Sequence, residues 1–567
     1  MRSKIFLVCK NLVLQYGFIG MASVASLLVL WQSTRVTPLI DYSYQVENAY
    51  RMFRGDMPYR DFFLVVAPGT YLIMATLMHM FDGYNHMVQV YYTMGVSIVT
   101  IFCTYVMIQS ILKKRSMSLI LIFPLLFSGQ VMYPYPLYDS NVMVSMLIAI
   151  LILFYIHSHP KFSPLWYVLA GALAAVPIFM KQNTGGIFFI SMSVVCVITM
   201  AISKKWRNIH ALISFLFGGI LVIGLFFFWL VYNTAFDSFI YQTIMFPRYA
   251  RNPFEALHVI YSQYRLYVSY VFMHWKFLML LCIAGYFTYV KRISVRVIAG
   301  IIILCISYLM YQFRSVSQLQ LYEQFVLFFW CSITLCTIAC MCVSQPFRDP
   351  LYKYIPIVLL SSVYATFLSH GIIHSSAHMW PFAMMLFTYD YVVLVSIYSS
   401  AIWKLLMYTI VTMLFFLLMQ SVLQNYAMSF ISTSGEVQVA SIPAIQGLST
   451  PGTWIQDFEA MVRYVQKTIP PNDSVAFLPG EDPFFATTKR KNPLQFTLLH
   501  AGVYTLNPNL IIPEILKNNV QWIIAKKEHQ TYPWLWISNW EGISYWINQS
   551  FDVVVTIGNY DIYKKRN

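Results

Sequence analysis

Apolar runs of about 18 to 25 residues recur along most of the chain, each long enough for an α-helix to cross the hydrocarbon of a bilayer. Only 10% of the 567 residues are charged and 59% are hydrophobic. A soluble domain carries about 25% charged residues. Inside lipid, backbone hydrogen bonds must be satisfied within the segment, and repeated apolar runs of this length do so as helices. The chain therefore reads as a polytopic α-helical membrane protein.

Charge then sets the threading. A net charge of +15 would suggest nucleic acid in a soluble protein. Here many basic residues cluster at the ends of apolar runs: Lys113 to Arg115, Lys204, Lys205 and Arg207, Lys291, Arg292 and Arg296, Arg348 with Lys353, and Lys404. Such clusters stay on the cytoplasmic side, so they orient the helices and no nucleic-acid partner is expected. Placing every cluster inside gives spans near 11–31, 87–112, 117–133, 141–157, 164–180, 185–203, 211–232, 269–290, 295–313, 321–345, 354–369, 379–399 and 403–424. That is about thirteen helices with the termini on opposite sides. The apolar run 68–81 is short for a span, and if it crossed, Lys113 to Arg115 would face outward. It is expected to be an interfacial or re-entrant helix. Arg2, Lys4 and Lys10 precede the first run, which is longer than a signal-peptide core and reads as a retained anchor with a cytoplasmic N-terminus.

This threading implies a membrane part over residues 1–430, with residues 32–86 as a first outer loop carrying interfacial helices. Residues 431–567 are richer in polar residues, Gly and Pro, and read as a small α/β domain on the periplasmic, outer side. Trp454, Phe458, Met461, Val462 and Val465 have helical spacing, and strands are expected from Ser474, Val520 and Phe551, with a last strand after a turn near Asn559. The nine cysteines show neither a disulfide framework nor CxxC spacing outside a membrane segment. Cys331, Cys336, Cys340 and Cys342 read as small lipid- or helix-facing residues. Short, compact loops favour a bacterial inner membrane.

Ionisable residues gather on the outer side of this threading. Asp41 follows the first span and heads a stretch containing Glu47, Arg51, Arg54, Arg60 and Asp61. A carboxylate kept ionised near arginines suits a general base; it equally suits an interfacial helix cap. Asp139 ends the aromatic, proline-rich run Met132-Tyr-Pro-Tyr-Pro-Leu-Tyr-Asp and precedes an apolar helix. Two readings stand: an N-cap, or a second carboxylate that orients an acceptor or a cation. Lys181 lies in Lys-Gln-Asn-Thr-Gly-Gly between two helices, where it suits phosphate binding or snorkelling to headgroups. Arg248 and Arg251 lie in a long outer loop and suit a phosphate or anionic lipid. His370, His374 and His378 recur every four residues. On one helix they share a face, as metal ligands would. Gly371 and Pro381 favour a loop instead, in which one or two of them contact phosphate or sugar, or simply line the interface. No P-loop, HExxH or GxSxG pattern occurs.

In this order the motifs resemble the GT-C class of membrane glycosyltransferases, in particular the glycosyltransferase family 39-like relatives of protein O-mannosyltransferases and of the enzyme that adds aminoarabinose to lipid A. Asp41, Gly55-Asp-Met-Pro-Tyr-Arg-Asp61, Ala67-Pro-Gly69, Asp139, Lys181 and the stretch His374 to Pro381 carry the resemblance. The chain departs from it in having Asp41-Tyr42 where many members have Asp-Glu, and Ala67-Pro68 where many have Pro-Pro. The resemblance implies an enzyme that moves a sugar from a polyprenyl-phosphate donor to a glycan, lipid or protein acceptor on the outer face. It implies Asp41 as general base with Asp139 in support, and Lys181, Arg248 and His374 or His378 on the donor phosphate. Glu47, Arg60, Asp61 and Arg251 are further loop candidates. No metal is required, although a divalent cation is compatible. A transporter or flippase of lipid-linked glycan intermediates is the alternative. It would place charged or broken-helix sites near the midplane, and often internal repeats, neither of which the sequence displays.

Overall fold

The computed structural model describes residues 2–34, 40–158, 163–203, 209–247, 253–273, 318–343, 349–397, 436–499, 510–527 and 540–566, with Phe347 and scattered positions between 407 and 419. α1 (Arg2–Ser33) is followed by two short helices, α2 (Ile40–Phe53) and α3 (Gly69–Met80). Next come α4 (His86–Leu112), α5 (Arg115–Ile122), α6 (Tyr138–His157), α7 (Pro164–Met180), α8 (Gln182–Ser203) and α9 (Ile209–Tyr232). α10 (Pro253–Met273), α11 (Gln318–Cys342), α12 (Pro350–Ser375) and α13 (Trp380–Ile397) follow. Among the described residues six helices, α4, α6, α8, α9, α12 and α13, are long and apolar enough to cross a membrane. α1, α7 and α11 supply shorter apolar stretches. The anticipated spans near 269–290, 295–313 and 403–424, and the boundary near residue 430, lie largely outside the described residues.

The run 68–81 forms α3, a helix of 12 residues, too short to span. The expected span 117–133, by contrast, is not one continuous helix. α5 gives way to a 3-10 turn over Phe123–Phe127, where Pro124 has no backbone N–H to donate. Gly129 then takes a φ of 49°, and Ser128 to Met132 continue as buried, non-helical backbone. Within a membrane protein such backbone is tolerated where protein surrounds it. The Gly129 N–H donates to the Ala377 carbonyl at 2.9 Å, which ties this segment to the turn before α13. The histidine stretch also departs from the predicted loop. α12 runs through Gly371 to Ser375, and a 3-10 turn over Ser376–His378 leads into α13. A single glycine costs a helix about 1 kcal/mol, too little to end one that is packed on both sides.

Helix packing uses small residues. A Cβ placed on Gly171 of α7 would meet the Phe215 carbonyl oxygen at 1.7 Å, and one on Gly218 of α9 would meet that of Val168 at 1.9 Å. The α7 and α9 backbones therefore touch. In lipid such van der Waals contact replaces the hydrophobic drive that water would supply.

The tail forms a four-stranded sheet in the order β1-β2-β4-β3 from β1 (Val475–Leu478), β2 (Trp522–Lys526), β3 (Phe551–Ile557) and β4 (Tyr560–Lys565). β1 and β2 are parallel, and the other pairs are antiparallel. The helix Trp454–Thr468 packs on the sheet through Phe458, Met461, Val462 and Val465, as its spacing predicts. Asp482 is buried beneath it and accepts from Trp454 Nε1 at 2.9 Å, Tyr560 Oη at 2.9 Å and Lys526 Nζ at 3.1 Å.

The tail shares an apolar core with the first loop. Tyr42, Tyr44, Val46 and Tyr50 of α2 belong to the same buried cluster as Trp454, Phe458, Phe477 and Tyr560. Polar contacts add to it: Phe63 N donates to Gln495 O at 2.8 Å, and Thr497 Oγ1 to Asn48 Oδ1 at 3.2 Å.

Candidate functional site

The helix ends sort into two sets. Lys113 to Arg115 join α4 to α5, and His157 at the end of α6 pairs with Asp349 at 3.0 Å, four residues before Lys353. At the other ends of α4 and α6 lie His86 and Tyr138, together with α2, α3 and the tail. There Ser449 N donates to the Thr34 carbonyl at 2.9 Å, just beyond α1.

At this second end Asp139 and Lys181 come together, and Asp41 lies on the same end. Asp139 occupies the first turn of α6. Lys181 stands in extended backbone (φ −152°, ψ 104°) at the break between α7 and α8, with Pro177 one turn earlier. Lys181 Nζ donates to Asp139 Oδ1 at 2.6 Å and lies 5.2 Å from the centre of the Tyr138 ring. The lysine is only 5% exposed. It is thus held by a carboxylate and an aromatic face, and does not snorkel to headgroups.

Asp41 is exposed in the first turn of α2. Its link to the other two is Tyr133, in the buried segment before α6. Burial lifts the Tyr133 hydroxyl above its ordinary range, and the charges of both Asp41 and Asp139 lift it further. Tyr135 is raised in the same way, by burial first and then by Tyr133, Asp41 and Tyr42. Both phenols therefore remain protonated.

His378 closes the cluster. Its Nδ1 is 3.1 Å from Ser140 Oγ, and its ring centre is 5.2 Å from that of Tyr133. Burial pulls its pKa down to about 4; Asp139 raises it and Lys181 lowers it. The imidazole is neutral at pH 7, so it offers a hydrogen bond and no charge.

Supporting contacts fix these elements. Asn141 Nδ2 donates to Thr70 Oγ1 of α3 at 3.1 Å, and Tyr92 Oη of α4 donates to Asn141 Oδ1 at 2.7 Å. Gln182, next to Lys181, accepts from Ala67 N at 3.0 Å and donates to Val65 O at 3.0 Å. The short helix α3 is thereby fastened to both α6 and α8.

Other candidates lie elsewhere. Glu47 is on the same helix as Asp41 but is buried against the tail, where Ala486 N donates to its Oε1 at 3.2 Å. Arg60 and Asp61 pair with each other at 2.8 Å, and Asp61 accepts from Met57 N at 2.7 Å, so together they close a turn. Arg248 and Arg251 lie outside the described residues. His370 and His374 belong to the backbone of α12, and their side chains lie outside the description. Sequence reasoning missed Tyr133, Ser140 and Thr70 as members of this end. The aromatic, proline-rich run before Asp139 was the available signal, but it does not reveal which tyrosine faces inward.

No protein-family model matches the chain, and no curated protein does. Among solved structures, it is similar to ArnT from Cupriavidus metallidurans in the apo state, at 11% identity over 99% of this chain and 98% of that one, with a TM-score of 0.44. The same protein bound to undecaprenyl phosphate is similar at 12% identity over 96% of this chain and 97% of that one, also with a TM-score of 0.44.

Proposed function

We propose that the chain is a membrane glycosyltransferase that takes a sugar from a polyprenyl-phosphate donor and passes it to an acceptor at the outer face of a bacterial inner membrane. The sequence resemblance supplies the reaction class. The observation that carries the reading is the Lys181–Asp139 pair at the end of the bundle away from Lys113 to Arg115, with Asp41 on the same end, where its charge and that of Asp139 both act on Tyr133. By the positive-inside rule that end faces outward.

In this reading the acceptor hydroxyl or amine gives its proton to Asp41 as its heteroatom attacks the anomeric carbon. The bond from that carbon to the phosphate oxygen breaks, and polyprenyl phosphate leaves with the electron pair. A single displacement inverts the anomeric centre. Lys181 stabilises the leaving phosphate by exchanging its contact with Asp139 for one with a phosphate oxygen. Asp139 holds the ammonium in place until the donor arrives and then orients the acceptor. The described cluster has two carboxylates and one ammonium, so a phosphate needs further positive charge. Arg248 and Arg251 are assigned to that role. Neutral His378 positions Ser140 and donates a hydrogen bond. No metal is needed for any of these steps. Residues 431–567 form the wall on the acceptor side.

The test uses purified protein in lipid nanodiscs with a panel of polyprenyl-phosphate sugars, following release of polyprenyl phosphate. Asp41→Asn is expected to lower turnover by at least a hundredfold while leaving donor binding and thermal stability near wild type. Normal turnover by that variant would remove Asp41 from the role of base. No release from any donor would reject the reaction class.

A further inference from the structure

A second cluster of ligating side chains lies far from the outer mouth. Cys336 and Cys340 are one helical turn apart on α11 and so share a face. Asp390 of α13 meets them there, and one ligand atom from each of the three lies within 4.8 Å of the others. Asp390 is ten residues beyond Trp380, about 15 Å along α13, and its neighbour Tyr389 donates to the Lys353 carbonyl at 3.3 Å.

The cost of such a group is what makes it informative. An ionisable residue inside a membrane span is expensive and by default marks a function. Asp390 is 3% exposed. Thr337 Oγ1 donates to its Oδ2 at 2.9 Å and fixes the carboxyl plane. Among the described residues no hydrogen bond of normal geometry reaches its Oδ1. The surroundings are otherwise apolar: Tyr389, Val393, Leu394, Met341 and Phe347 pack around Cys336 and Cys340.

We propose that Cys336, Cys340 and Asp390 bind a thiophilic divalent cation of the zinc class, clipping α11 to α13. Two thiolates and a carboxylate supply three of the four donors of tetrahedral zinc, with a water as the fourth, and soft sulfur ligands favour it over magnesium or calcium. Ligand atoms on zinc bonds of ~2.3 Å lie about 3.8 Å apart, so the cluster closes on an ion through small side-chain rotations. Zinc displaces the protons of the two thiols and the carboxyl to solvent, and its two positive charges offset all but one of the three negative charges so formed. Thr337 acts as the outer partner that orients the carboxylate. The clip would hold the helix that begins just after His378, and it is independent of the chemistry at Asp41.

Purified, chelator-treated protein in nanodiscs is titrated with zinc chloride, and retained metal is measured by elemental analysis after desalting. One zinc per chain is expected, with affinity reduced at least tenfold in Cys336→Ser, in Cys340→Ser and in Asp390→Asn. Cys342→Ser, two residues beyond Cys340 and turned away from Asp390, and Asp41→Asn are expected to retain the metal. Cobalt chloride substituted for zinc should give a sulfur-to-cobalt charge-transfer band that Cys336→Ser weakens, a readout on wild-type protein that needs no folded triple variant. Zinc retention by wild type no greater than by the triple variant, or absence of that band, would overturn the site.

Discussion

Lys181 shows how much one buried charge depends on its partner. A buried pair contributes little net stability, yet removing one member strands the other, at a cost of about 3–5 kcal/mol. Asp139→Asn should therefore lower the thermal midpoint clearly. Adding Lys181→Met to Asp139→Leu should restore much of that loss but leave transfer abolished, as scanning calorimetry and the release assay would register. A stable, active Asp139→Asn would disprove the pairing. Glu47 gives a pH dependence of definite sign. Burial raises its carboxyl from 4.5 to about 8, against opposing pulls from the amides of Ala486 and Phe485 and from Arg51. The folded protein thus holds a proton that the unfolded chain releases above 4.5. Its contribution is full below that value and is lost as pH rises through about 8. Amide exchange at Ala486, corrected for intrinsic rates, should show weaker protection at high pH, and Glu47→Gln should flatten the trend. That Asp41, Asp139 and Lys181 lie at one end of the bundle was legible in the sequence, because charge beside lipid is rare. The opposite outcome for Glu47, Arg60 and Asp61 was not legible, since a helix turning its face toward a distant tail leaves no local trace.

At the scale of elements, hydrophobic length located most helices, while breaks and close contacts escaped it. The sequence showed α3 as too short to span but not what holds it. A Cβ on Gly69 would meet the Phe179 carbonyl oxygen at 2.4 Å, so the start of α3 rests directly on the end of α7. Gly69→Val should push α3 from that position and, through Thr70 and Asn141, disturb α6 beside Asp139. The expected result is a tenfold or greater loss of transfer with the bundle still folded. Unchanged activity would show that α3 does not position the site. The turn at Pro124 and Gly129 and the unbroken helix through Gly371 were misread for one reason. Proline and glycine act as punctuation only when packing does not overrule them, and packing is a tertiary property.

At the scale of the whole molecule, the tail is part of the same end as Asp41. Its sheet shares a core with α2, the helix that carries Asp41. Its strands were legible as short apolar runs bounded by turn residues, whereas this docking was not, because nothing in either segment encodes the partner. The account as a whole depends on one arrangement: Asp41 and Lys181 open to the same compartment, opposite the basic clusters. The direct measurement is labelling by a membrane-impermeant maleimide in right-side-out and inverted vesicles, using a background without reactive native cysteines. Asp41→Cys and Asn183→Cys, exposed positions at the head of α2 and two residues after Lys181, are introduced one at a time. Both should label in right-side-out vesicles and neither in inverted ones, with Lys114→Cys showing the reverse. Labelling of positions 41 and 183 from opposite sides would contradict the account.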